Sequence, residues 1–361
     1  MATVLNRRFG TDARPHPSVP TEAHPVIDPP HPPRQARDTY CPFALETDPR
    51  RFGLTTSSMR LGSGPVSVRH GRRTGSDTAI IFLHGAAGSW TTWTPLLTAA
   101  TSGEPGAYFP LGHPTGLNDL VIPDLPGWGD TSLPVDETSL TIESMAAVVA
   151  EIARALGYRR WIVVGHSMGG LIALELASAE KQATVSVGLV SATTFSVIQS
   201  VRHPLTRFGV LPGFTSLLQV MRVLRLSEPF GRALVGMIAR FGLLRPVVAP
   251  LFRHVGRIDP SVISALAEEV RPAGFSIASD RAGAYDARAA WSRIECPVRA
   301  CRGDRDVFVT ESDDRLLTEV ISDFTIETMA DTGHFGHIEH PFRALAALEL
   351  PVLKRLVQRH R

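Results

Sequence analysis

The chain has 361 residues, 43% of them hydrophobic and 20% charged, enough for one large domain or two modest ones around a sizeable core. A formal net charge of +2 is too small to argue for nucleic acid as a partner. Three cysteines, Cys41, Cys296 and Cys301, make no disulfide framework, and the last two stand about 16 Å apart along an extended segment, beyond disulfide reach.

Residues 1 to about 50 read as an irregular arm. PHPSVPTEAHPVIDPPHPPRQ is too dense in proline for a helix and too poor in large apolar residues to bury a face, so disorder is expected. The start, MATVLNRRFGTDAR, lacks the apolar run of a signal peptide, and no stretch approaches the roughly 20 apolar residues of a membrane span. With so few cysteines, these features predict a reduced, cytoplasmic protein.

From about residue 56, strand-like and helix-like segments alternate. MRL and PVSVRH read as two short strands. TAIIFLHG (78–85) and LVIPDLPG (120–127) are continuous apolar runs, the mark of strands buried on both faces. Residues 140–157 show helical periodicity; RWIVVG (160–165) is a strand, GLIALELASAE (170–180) a helix, and VSVGLVSA (185–192) a strand. This alternation predicts an α/β fold, a mostly parallel sheet doubly wound with helices on both faces. It stops between residues 196 and 290, a helix-like insert broken by seven prolines. There DPSVISALAEEV carries a helix start, with Asp259 as cap and Pro260 in the first turn. Strands resume at CPVRACRG (296–303) and FTIETMA (324–330), and a last helix lies near PFRALAALEL. The core is thus expected over 51–195 and 291–361.

The chemistry starts at VVGHSMGGLIAL (163–174). A G-x-S-x-G segment between a buried strand and a helix is a nucleophile elbow. Ser167 sits on a strained turn, and Gly165 and Gly169 leave room for neighbouring backbone. A serine hydroxyl needs a base, and the base needs an acid to hold it. MADTGHFGHIEHP (329–341) offers His334, with His337 in reserve, and RGDRDVFV (302–309) offers Asp304 and Asp306. Nothing acidic follows VSVGLVSA. Backbone N–H groups that could meet a developing oxyanion are those of Met168, from the elbow, and Ala86, from HGAAGSW.

LHGAAGSW, PDLPGWGDT, GHSMGG, CRGDRDVF and TGHFGHIEHP together resemble the α/β-hydrolase superfamily, in that family's usual order and over about residues 84 to 341. The resemblance implies Ser167 as nucleophile and His334 as base. It favours Asp306 over Asp304 as acid, through Gly303-x-x-Asp306, and His334 over His337, through the G-H-x-x-x-x-E-x-P arrangement ending at Pro341. It makes the 196–290 insert a cap over the site. The connection from 101 to 119 is longer than the family's usual one, either a pocket wall or a surface excursion.

A serine nucleophile implies acyl transfer: esters first, then thioesters and amides. A carbon–carbon bond hydrolase, or a ligand-binding member without turnover, is the alternative reading. No cofactor and no metal are implied, and the expected partner is a small acyl substrate. Between 197 and 258, nine arginines face a single acid, Glu228, a local charge of +8. That surface suits weak association with anionic amphiphiles or a membrane edge. The favoured reading is that its apolar residues pack on the core while the arginines face water.

Overall fold

The computed structural model describes residues 39–350 apart from 63, 103–116, 207, 228–230, 232, 234–235, 239 and 242. Its strands are β1 (Leu54–Leu61), β2 (Gly64–Gly71), β3 (Thr78–Leu83), β4 (Leu120–Pro123), β5 (Arg160–His166), β6 (Thr184–Val190), β7 (Val298–Gly303) and β8 (Phe324–Met329). They form one sheet in the order β1-β2-β4-β3-β5-β6-β7-β8. β1 with β2 and β2 with β4 are antiparallel, and every other neighbour pair is parallel. The two residues between β1 and β2 suffice for a hairpin, whereas parallel neighbours need crossovers, which helices supply.

The sheet is covered on both faces, and its central strand β3 is accordingly apolar at every position from Ala79 to Leu83. In β3, Ala79, Ile81 and Leu83 join one core cluster while Ile80 and Phe82 join the other. The crossover helices are α1 (Thr94–Ser102), α2 (Ile142–Ala155) and α3 (Met168–Ala179). In α2, Ile142, Met145, Val149 and Ile152 recur at helical spacing and are buried, and Thr141 and Ser144 close a capping box at its start. In α3 every residue from Met168 to Ser178 is buried, so this helix runs through the middle of the protein.

Between β6 and β7 the chain leaves the sheet for α4 (Phe195–Arg202), α5 (Pro212–Arg225), α6 (Leu244–Val248), α7 (Pro260–Glu268), α8 (Pro272–Ala284) and α9 (Ala287–Trp291). Asp259 caps α7 by accepting from the Ser261 N–H, as its sequence predicts. The expected partition, apolar inward and arginine outward, holds for this insert only in part: Leu211, Phe214, Leu218, Leu244 and Val248 are buried, whereas other apolar residues are not. Ten of the eleven exposed large hydrophobic residues among the described residues lie between 205 and 247. Six of the arginines are meanwhile engaged within the protein. Arg222, Arg225 and Arg253 pair with Asp280, Glu137 and Asp331, Arg202 and Arg245 bond carbonyl oxygens, and Arg257 lies over the Tyr40 ring.

The chain continues through α10 (Glu311–Val320), which the sequence reading did not name, to α11 (Gly336–Glu339) and α12 (Pro341–Ala347), the last helix among the described residues. The expected irregular arm must be shortened. Tyr40 is buried, the Leu45 N–H donates to Ser261 Oγ at 2.8 Å, and the Glu46 N–H donates to Thr94 Oγ1 at 3.0 Å. These side-chain partners lie far along the chain, so residues 39–50 pack for reasons their own composition does not carry. The rest of the arm, 1–38, and most of the long 101–119 connection fall outside the described residues.

Candidate active site

The carboxyl ends of β5, β7 and β8 deliver three side chains to one place. Ser167 follows β5 and opens α3, with φ 52° and ψ −120°, a left-handed backbone that costs energy in a non-glycine residue. The turn closes only because its neighbours are glycines. A Cβ on Gly165 would collide with the Gly169 carbonyl, and one on Gly169 with the carbonyls of Leu83 and His84.

Ser167 Oγ lies 3.0 Å from His334 Nε2, and His334 Nδ1 lies 2.9 Å from Asp306 Oδ1. Asp306 Oδ1 also accepts from the Phe308 and Val309 N–H groups, at 2.9 and 3.2 Å. An ionised carboxylate can only accept, so Nδ1 of His334 carries the ring proton and Nε2 is left as acceptor for the serine hydroxyl. The His334 backbone is fastened too. Its N–H donates to Leu251 O at 2.8 Å, and its carbonyl accepts from His166 Nε2 at 3.1 Å. Phe308 packs edge-on against its ring at 4.8 Å.

The other candidates stand elsewhere. Asp304 accepts from the Thr332 N–H at 3.0 Å and so fastens the turn before His334 instead of its ring. Burial would raise its carboxyl, but backbone donors at Thr332 and Asp331 and the charges of Arg253 and Arg305 hold it below the usual range. His337 is fully buried behind the site, 4.4 Å from the His166 ring and 4.6 Å from Trp93. Burial, with His334 nearby, lowers it to about 3, so it is neutral. His166 is driven the same way by burial and by the neighbouring imidazoles of His337 and His334.

Ser167, Met168, Ala86, Asp306 and His334 line one cavity of about 660 Å³. Its walls are apolar, with Leu211, Phe214, Leu217, Met221 and Phe275 from the insert and Leu171 from the core. The loop carrying Ala86 is pinned by a residue that the sequence reading left unassigned. His84 Nδ1–H donates to Gly85 O at 2.8 Å, and the Leu125 N–H donates to His84 Nε2 at 2.9 Å. In a trans peptide the N–H opposes the carbonyl, so fixing Gly85 O also fixes the direction of the Ala86 N–H. Among the described residues, no group of three His, Cys, Asp or Glu is arranged to hold a metal ion. The arrangement sets the Ser167 hydroxyl against an imidazole nitrogen beside an apolar chamber.

Residues 80–348 match the model of the alpha/beta hydrolase family. The chain is 27% identical, over 78% of its length, to the dihydrolipoyllysine-residue acetyltransferase component of the acetoin cleaving system of Cupriavidus necator, and spans 65% of that protein's length. Its fold is similar to that of a thermophilic esterase from Thermogutta terrifontis, with a TM-score of 0.58 and 17% identity, covering 85% of this chain and 98% of that one. It is also similar to a putative lipase from Acinetobacter baumannii, with a TM-score of 0.61 and 17% identity, covering 88% and 99%.

Proposed function

The chain belongs to the alpha/beta hydrolase family, and we propose that it cleaves a carboxylic ester or thioester through an acyl-enzyme on Ser167. The observation that carries this reading is the continuous hydrogen-bonded line from Asp306 through His334 to Ser167 Oγ, opening into an apolar cavity. Ser167 Oγ attacks the substrate carbonyl carbon as His334 Nε2 takes its proton, and Asp306 steadies the resulting imidazolium. The Ala86 and Met168 N–H groups stabilise the oxyanion, each worth about 3 kcal/mol of barrier. His334 then protonates the departing alcohol or thiol. A water, deprotonated by the same nitrogen, hydrolyses the acyl-enzyme and regenerates Ser167.

The elbow geometry supports a nucleophilic role, because a strained left-handed serine with both neighbouring glycines obligatory has no packing purpose. The cavity supports a small apolar acyl group as the bound part of the substrate. Weak association with an amphiphile surface belongs to the same reading, with a change of emphasis. The exposed apolar residues of the insert supply the contact, since Val210, Val220 and Val247 are exposed and also line the cavity mouth. Three free thiols accord with a cytoplasmic location.

Labelling with a fluorophosphonate probe tests the proposal. Covalent modification of Ser167, competed by apolar esters, is the expected result. A chain that binds such esters without ever labelling would be a ligand-binding member of the fold.

A further inference from the structure

Glu339 is fully buried, yet among the described residues no cation pairs with its carboxylate. Its partners are four donors. Oε2 accepts from Tyr40 OH at 2.8 Å, from the Arg253 N–H at 2.9 Å and from the Gly333 N–H at 3.0 Å; Oε1 accepts from the Gly333 N–H at 3.1 Å and the Phe335 N–H at 3.2 Å. Gly333 and Phe335 are the two neighbours of His334. One carboxylate thus grips the main chain on both sides of the imidazole.

The grip extends outward. Tyr40 OH also accepts from the His254 N–H at 2.9 Å, and the Cys41 N–H donates to the Glu339 carbonyl at 2.7 Å. The ring of Tyr40 lies edge-on to His254 and His340, at 5.0 and 5.3 Å, beneath the Arg257 guanidinium. Three separate stretches therefore meet on Glu339: the segment at Tyr40, the middle of the insert at Arg253 and His254, and the loop holding His334. Desolvating a carboxylate is costly, and fastening this loop would need no charge at all if neutral acceptors sufficed. Charge-assisted bonds to N–H groups are about twice as strong as neutral ones, which suits a loop that must not move.

We infer that Glu339 and Tyr40 are positioning residues, which act through the main chain to hold the His334 imidazole between Ser167 and Asp306. The inference rests on the serine-hydrolase reading above. Displacing a reacting group by about 1 Å can cost about 100-fold in rate. The amide nitrogen of Gln in Glu339→Gln would set a donor against donors, and Tyr40→Phe removes a single hydroxyl while keeping the ring.

The test measures fluorophosphonate labelling of Ser167 across probe concentrations, separating the maximal rate from the half-saturating concentration, with the melting temperature recorded alongside. Glu339→Gln is expected to lower the maximal rate about 10- to 100-fold and Tyr40→Phe severalfold, while half-saturation stays near wild type because the cavity walls are untouched. A merely structural role would lower the melting temperature and leave the maximal rate of the folded protein unchanged; that result overturns the inference. If Glu339→Gln does not fold, Tyr40→Phe decides by the same criterion. A wild-type chain that never labels overturns the hydrolase reading and this inference with it. Labelling wild type with unaffected variants overturns the inference alone.

Discussion

Asp306 holds His334 with both carboxylate oxygens near Nδ1, at 2.9 and 3.1 Å, and no atom of Asp304 takes part. Asp304 lies only two residues away and is bonded to the Thr332 N–H. The two aspartates should therefore respond differently. Asp306→Asn should lower ester hydrolysis about 10⁴-fold by favouring the wrong tautomer. Asp304→Asn should cost mainly stability, about 1 kcal/mol for the weakened backbone bond. Steady-state rates and urea unfolding of both variants check this. The opposite ranking in rate would hand the acid role to Asp304.

The buried histidines make stability depend on pH. Burial lowers His84, His166 and His337, the last to about 3, from an ordinary value of 6.5. Below about pH 6.5 the unfolded chain takes up protons that the folded chain refuses. Their contribution to stability is thus complete above pH 6.5 and is lost as pH falls below it, for His337 down to about 3. Each group contributes a slope of up to about 1.4 kcal/mol per pH unit in that window. Unfolding measured from pH 8 to pH 5 should show this decline, and His337→Phe should make it shallower by about one proton. Identical slopes for the two chains would show that His337 stays charged or exposed.

The amino-terminal segment divides at Tyr40. Deleting residues 2–38 removes the Pro-rich stretch and should leave turnover of a small soluble ester unchanged. Extending the deletion to residue 45 removes a buried tyrosine, and the loss of such an aromatic side chain costs about 3 kcal/mol. A melting temperature that falls only with the longer deletion is the expected pattern. Equal behaviour of the two truncations would mean that Tyr40 contributes nothing to the fold.

The cavity predicts a chain-length profile. Each methylene buried in it should contribute about 0.8 kcal/mol to transition-state binding, so kcat/KM should rise about fourfold per added carbon until the space is filled. Leu217 lines the wall, and Leu217→Trp should move the optimum to shorter acyl chains. A flat profile in both proteins would show that the acyl group does not enter this chamber.

The extent to which the sequence disclosed this arrangement follows the range of the interactions. Strands such as TAIIFL announce themselves because burial on both faces demands apolar residues at every position. Ser167 is legible because its turn requires glycine on both sides within five residues. Asp306 is separated from Asp304 only by a motif resemblance, since both sit in one loop and the choice depends on where β8 places His334. Tyr40 and Glu339 were not legible as a pair. They are 299 residues apart, and although Glu339 stands in the G-H-x-x-x-x-E-x-P arrangement, nothing local to Tyr40 distinguishes a buried tether from a surface side chain. The insert was legible only in part. Its buried apolar residues, such as Leu211, Phe214 and Leu218, follow the expected partition, yet others stay exposed and six arginines find partners, an outcome set by tertiary contacts such as those with Asp280 and Glu137.

Hydrolysis of a short apolar ester by purified wild type and Ser167→Ala tests the central claim most directly. Alanine fits the turn no worse than serine, so the variant should fold with an unchanged melting temperature. Its rate should fall by several orders of magnitude, leaving on the order of 10³-fold over water from the oxyanion donors and binding. Near-wild-type turnover in a folded, uncontaminated Ser167→Ala sample would contradict the account, because the proton line from Asp306 through His334 would then end on a residue that performs no chemistry.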